Sequence, residues 1–180
     1  MAEVLFGKYN PSGKITNSFP RNVGQIPIYY NHKRTGRPSM KNEFEKFRSD
    51  YLDESNEPLY PFGFGLSYTN FEYKNLHLDK TKITPTQKIN VTVDLKNTGN
   101  YNADEVVQLY IQDVQGSVTR PVKELKNFKK VSIPKGEQKT ITFEISESDL
   151  RFYNSKLEYI SEAGTFKVFV GGNSRDVLEQ

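Results

Sequence analysis

The sequence predicts an all-β fold: an immunoglobulin-like sandwich of seven short strands, preceded by an irregular N-terminal arm. Three observations carry this prediction. From Phe71 onward apolar residues recur at every second position, as in strands with one face buried and one in water. Turn residues such as Asn97-Thr98-Gly99-Asn100, Pro134-Lys135-Gly136 and Glu162-Ala163-Gly164 separate those segments at the short intervals of a sandwich. Between this alternating part and a first third without sustained periodicity lies Pro58–Tyr73, PLYPFGFGLSYTNFEY, which is neither helix nor ordinary strand.

The elements follow in chain order. Residues 2–7, AEVLFG, read as the last turn of a helix closed at Gly7, as though the sequence began inside a longer element. Asn10-Pro11-Ser12-Gly13 has the Pro and Gly placement of a type I turn, and Lys14–Pro20 is a short strand candidate. Val23–Tyr30 is apolar and extended in character, with Pro27 confining it to an edge or to irregular structure. Asn31–Met40 is polar and turn-rich, and Lys41–Tyr51 carries helical spacing through Phe44, Phe47 and Tyr51. This first third has few apolar residues for its length, so it is expected to drape over a partner domain or over the second unit rather than fold alone.

In the Pro58–Tyr73 stretch the prolines fix φ, the glycines permit close backbone approach, and the rings bury large area on little backbone. Tyr60, Phe62, Phe64 and Tyr68 are therefore expected to form an aromatic hinge pinning two units together; rings that merely fill the core of one domain are the alternative. The strand candidates are then Phe71–Asp79, Ile89–Lys96, Val106–Ile111, Pro121–Ile133, Lys139–Ser146, Leu157–Ile160 and Gly164–Gly171. Inward positions are Ile89, Val91, Val93 and Leu95, then Ile141, Phe143 and Ile145, then Phe166, Val168 and Val170; in Val106–Ile111 one face carries Val107, Leu109 and Ile111 and the other Val106, Gln108 and Tyr110.

Composition excludes several chemistries. Among 180 residues there is no cysteine, so disulfides, zinc thiolates and thiol nucleophiles are impossible, and the sandwich resembles the fibronectin type III variety. The net charge of +3 is spread along the chain. Its one dense basic cluster, Lys123, Lys126, Lys129 and Lys130, reads as a strand edge guarded against pairing, so no nucleic-acid partner is expected. No apolar run reaches the roughly 18 residues of a membrane span, and Met1-Ala2-Glu3 does not open a signal peptide, so no membrane partner is expected.

His32 and His77 lie far apart without carboxylates at ligand spacing, so neither a metal nor a cofactor is expected, and His77 reads as an outward strand position. Gly63-Phe64-Gly65-Leu66-Ser67-Tyr68 breaks the dinucleotide fingerprint at its sixth position, and Asn90-Val91-Thr92 reads as strand patterning. The carboxylates of the alternating part read as solvent-facing, leaving no pair for acid/base work, so no catalytic residue is assigned. The best candidate for a polar ligand is the loop from Tyr29 to Arg37. There Tyr30, Asn31, His32, Lys33 and Arg37 join aromatic faces to donors that suit sugar hydroxyls. A surface loop with inward tyrosines and solvated charges is the other reading.

NPSGK at 10–14, FPRNVGQIPIYYNHKRTGRP at 19–38, PLYPFGFGLSYTNF at 58–71, RPVKELKNFKKV at 120–131 and GTFKVFVGG at 164–172 resemble the C-terminal end of glycoside hydrolase family 3 β-glucosidases over essentially the whole chain. The resemblance implies that residues 1–60 are the tail of an α/β sandwich domain and that 61–180 form a fibronectin type III-like domain. It places the nucleophile and acid/base carboxylates of the full enzyme, which hydrolyses terminal β-glucosides, on parts absent from this sequence. The implied partners are those catalytic domains of the same enzyme and an oligo- or polysaccharide, and the implied location is periplasmic or secreted. By itself the chain is expected to hydrolyse nothing and to support the catalytic body. Two other roles remain open: a carbohydrate-binding module using Tyr101, Tyr110, Phe152 or Tyr153 as a platform, and a protein-interaction module.

Overall fold

A computed structural model describes residues 1–34, 36–38 and 46–180. Seven strands form the sandwich. One sheet has three, in the order β1 (Phe71–Leu78), β2 (Ile89–Asn97), β5 (Gln138–Ile145). The facing sheet has four, in the order β4 (Glu124–Ile133), β3 (Ala103–Asp113), β8 (Phe166–Gly171), β9 (Val177–Glu179), and every pairing in both sheets is antiparallel. Alternation builds the core as expected. Val91, Val93, Leu95, Val107, Leu109, Ile111, Ile141, Phe143, Ile145, Val168 and Val170 meet between the sheets, joined by Ile133.

The strand inventory differs in one member. Of Leu157–Ile160 only β7 (Tyr159–Ile160) is strand, and it pairs with β6 (Phe152–Tyr153) in a small hairpin outside both sheets. The seventh sandwich strand is β9, whose three residues are too few to show a period but whose Leu178 packs against the core. At β4 the strand begins at Glu124 rather than Pro121. Asn75 (φ 53) marks a bulge in β1, and His77 beyond it is exposed, as expected.

The arm is irregular. α1 (Ala2–Leu5) is a single turn followed by Gly7 at φ 71, the left-handed position expected of a helix end. Lys14–Pro20 is not a strand, and its one ladder contact is a bridge from Phe19 to Tyr60. Val23–Tyr30 is not extended throughout, since Val23–Gln25 form a 3-10 turn. Most of the helical spacing read at Lys41–Tyr51 lies outside the described residues; residues 46–49 are turn and bend, and Phe47 and Tyr51 are exposed.

The arm lies on the sandwich and makes β3 a strand buried on both faces. Gln108, Tyr110 and Gln112, which alternation turns away from the core, are all buried. Phe62 O accepts from Ser174 N (2.9 Å), and Ile15 pairs with both Phe64 O and Gly63 N (each 2.9 Å), so the arm folds onto the hinge and the hinge onto the sheet.

Candidate functional site

The site begins at a column of rings. Tyr30 stacks on Phe62 with ring centres 4.3 Å apart and meets Tyr110 edge-on at 5.8 Å. Beneath it the Tyr110 hydroxyl donates to Gln108 Oε1 (2.5 Å), and Gln108 Nε2 donates to Gly172 O (2.6 Å) and Gly63 O (3.2 Å). Every polar atom of this buried pair is thereby engaged, as burial requires. Position 63 must be glycine: its φ is 79, and a Cβ there would lie 2.0 Å from Gln108 Oε1. Burial and the neighbouring Tyr30 push the Tyr110 phenol well above its ordinary range, so it stays a neutral donor.

From Tyr30 the chain runs along the entry to β4. Leu125 N donates to Tyr30 Oη (3.2 Å), Val122 N donates to His32 O (2.9 Å), and Lys33 bridges to Pro121. Tyr30 is therefore half-buried in the seam, whereas Asn31, His32, Lys33 and Arg37 are exposed. The backbone of the loop is held against the sandwich. A cleft of about 570 Å³ opens at one end of the sandwich, lined by Leu78, Ile83, Ile111, Ile145, Leu150 and Phe166, and none of the four polar side chains lines it.

The hinge residues divide. Phe62 and Phe64 are half-buried, while Tyr60 and Tyr68 keep 43% and 45% of their surface exposed. Tyr60 packs on Phe64 (5.0 Å) and edge-on against Phe19 (6.3 Å), and the Tyr68 hydroxyl donates to Val4 O (2.6 Å), tying α1 to the sandwich side.

A second join lies at the sandwich edge. Glu105 Oε1 accepts from Lys14 Nζ (3.0 Å) and Tyr73 Oη (2.9 Å), with side-chain exposures of 15% for Lys14 and 6% for Glu105. Burial first, then the Glu105 charge, drives the Tyr73 phenol far above its usual range. The sequence reading placed the carboxylates of the alternating part in solvent, and for Glu105 and Asp113 that is incorrect. Both share the parity of Val107, Leu109 and Ile111 and are buried. The parity was the available signal. Asp113 lies 3.6 Å from Arg120 Nε, and desolvation raises its pKa.

Of the four rings considered as an exposed platform, Tyr110 and Phe152 are buried, at 0% and 3% exposure. Tyr101 and Tyr153 are open. Tyr110 is covered by the arm and Phe152 by Arg120, whose guanidinium lies 4.2 Å above its ring. Among the described residues no three His, Asp or Glu side chains gather as metal ligands would, and no helix is long and apolar enough to cross a membrane.

Comparison with known proteins matches residues 1–68 to the glycosyl hydrolase family 3 C-terminal domain and residues 105–174 to the fibronectin type III-like domain. The chain is 48% identical over 179 residues to the periplasmic beta-glucosidase of Salmonella typhimurium, covering 99% of the chain and 23% of that protein. It is 43% identical to a putative beta-xylosidase of Formosa agariphila, covering 97% of the chain and 22% of the relative. The crystal structure of beta-glucosidase from Listeria innocua in complex with glucose superposes with a TM-score of 0.92 at 48% identity, over 99% of this chain and 25% of that one. The chain thus spans about a quarter of the length of the relatives it matches.

Proposed function

Because the chain belongs to glycoside hydrolase family 3, corresponding end to end to the C-terminal portion of its β-glucosidase-like enzymes, we propose that it buttresses the catalytic domains of an enzyme hydrolysing terminal β-glucosides. In this reading residues 1–60 finish the α/β domain and 61–180 form the supporting sandwich. The observation that carries it is the arm's two-sidedness. One side is built into the sandwich through Tyr30, which stacks on Phe62 and meets Tyr110, and through Lys14, which pairs with Glu105. Leu5, Phe6, Val23 and Leu52 meanwhile keep between 76% and 85% of their surface uncovered, apolar area that suits a further domain of the same enzyme.

Retaining hydrolysis needs two carboxyl groups about 5–5.5 Å apart across the scissile bond. Here Glu105 is engaged by Lys14 and Tyr73, Asp113 by Arg120, and Glu147 by Arg151, so these acids serve as structural partners. Tyr30 anchors the loop, and Asn31, His32, Lys33 and Arg37 are its saccharide-facing donors in the assembled enzyme. The periplasmic relative supports a periplasmic or secreted location.

The experiment is release of p-nitrophenol from an aryl β-glucoside. The purified chain is expected to match a heat-killed control, and a rate above that control overturns the proposal. In an enzyme carrying this chain, Lys33→Ala and Arg37→Ala are expected to raise KM severalfold while kcat holds; unchanged KM in both removes the loop from the substrate path.

A further inference from the structure

The β6–β7 hairpin carries two open aromatic rings side by side. Tyr153 and Tyr159 are a directly opposed cross-strand pair with ring centres 4.9 Å apart and a 41° tilt, and they keep 64% and 51% of their surface exposed. A contiguous pair of exposed rings marks a binding surface more readily than a singly exposed ring does. This pair is held in place from behind. On the opposite face of the hairpin Phe152 is buried under Arg120, which is itself fixed by Glu124 (2.7 Å).

The turn between the strands is closed as firmly. Asn154 Oδ1 accepts from Lys156 N (2.9 Å) and Glu158 N (3.0 Å), while its Nδ2 donates to Glu158 Oε2 (2.8 Å). At the base, Glu147 takes Arg151 Nε and the Ser161 hydroxyl, bracketing the hairpin on both sides. The rings are thus preorganised, which lowers the ordering cost of any ligand that stacks on them.

We propose that the Tyr153–Tyr159 pair is a stacking platform for a soluble β-linked glucan. Two observations select that occupant. Two half-open tyrosines offer on the order of 200 Å² of ring surface, against about 800 Å² per partner in a stable protein interface. That area matches one or two pyranose rings. Flanking the rings along the hairpin are Arg151, Asn154 and Glu158, beside one exposed apolar residue, Leu157, a mixture of hydroxyl partners and apolar surface that a sugar ring can use. The tilt makes a shallow cup rather than a plane, which suits a twisted soluble chain over a flat crystalline surface. The proposal rests on the reading that the whole protein acts on β-glucosides.

Affinity electrophoresis of the 180-residue chain in native gels containing mixed-linkage β-glucan tests it. Retardation is expected, with affinity reduced at least tenfold by Tyr153→Ala and by Tyr159→Ala, retained by Tyr153→Phe, and untouched by Tyr101→Ala. Both rings are at the surface, so the variants should melt with the parent chain. A parent chain that migrates as in a glucan-free gel overturns the proposal, as do Ala variants retarded like the parent. A dimer on size exclusion that Tyr153→Ala dissolves also overturns it by assigning the rings to a second copy. The aryl β-glucoside assay on an enzyme carrying this chain is independent: hydrolysis with no retardation removes the platform alone, and retardation with no hydrolysis removes the enzymatic reading alone.

Discussion

Glu105 shows how much one residue can decide. Its carboxylate is buried at the edge of the sandwich core, held by Lys14 from the arm and Tyr73 from β1. A buried ion pair adds little over an apolar pair, but removing one partner strands the other charge, at a cost of about 3 kcal/mol. Lys14→Ala is therefore expected to lower unfolding stability by about that amount in urea titration, and Lys14→Met combined with Glu105→Gln to recover most of it. A Lys14→Ala loss below about 1 kcal/mol would mean that water reaches Glu105 in place of the ammonium. Half of this join was legible. The parity of Glu105 with Val107 marks it as inward-facing, but nothing near Lys14 in sequence points to a partner 91 residues away.

Among the elements, β2 and β5 were legible because each buries one face, so their burial alternates with period two. β3 misleads for a physical reason: its second face is covered by the arm, and Gln108 and Tyr110 look like surface positions until Gly63 and Tyr30 arrive. The hairpin is hard to read because its strands have two residues each, too few to display a period. Its bracket carries a pH prediction. Hydrogen bonds from Arg151, then from Ser161, hold the Glu147 carboxyl below its ordinary 4.5. A depressed folded pKa means that the unfolded chain binds the proton more readily. The stabilisation is thus present above the ordinary value and lost as pH falls through the folded one. Hydrogen exchange of amides 147–162, corrected for intrinsic rates, should show less protection at pH 3 than at pH 6. Glu147→Gln should remove most of that difference, and an undiminished difference in that variant would assign the acid sensitivity to another group.

For the molecule as a whole, the question is which part can stand alone. Among the described residues, every member of the central cluster comes from the strands and none from the arm. The sandwich therefore holds its own core. The arm and the hinge together supply instead the cover of Tyr110, the Gly63 carbonyl facing Gln108, and the counter-charge of Glu105. Residues 69–180, cut just before Thr69 so that its hydroxyl still reaches Asn97 Oδ1 (2.6 Å), should fold as a β-sandwich by circular dichroism. With a stranded carboxylate and a bared ring, its melting temperature should lie roughly 10 °C or more below that of the 180-residue chain. It should also bind a hydrophobic dye that the longer chain binds less on that face. Residues 1–68 alone should show no cooperative melt, because apolar groups with no sheet to cover cannot offset the entropy of ordering them. If 69–180 melted with the full chain, the arm would be only resting on the sheet. If it failed to fold, the stability of the core would depend on a seam of four or five contacts, and the division between self-sufficient strands and dependent arm would be lost.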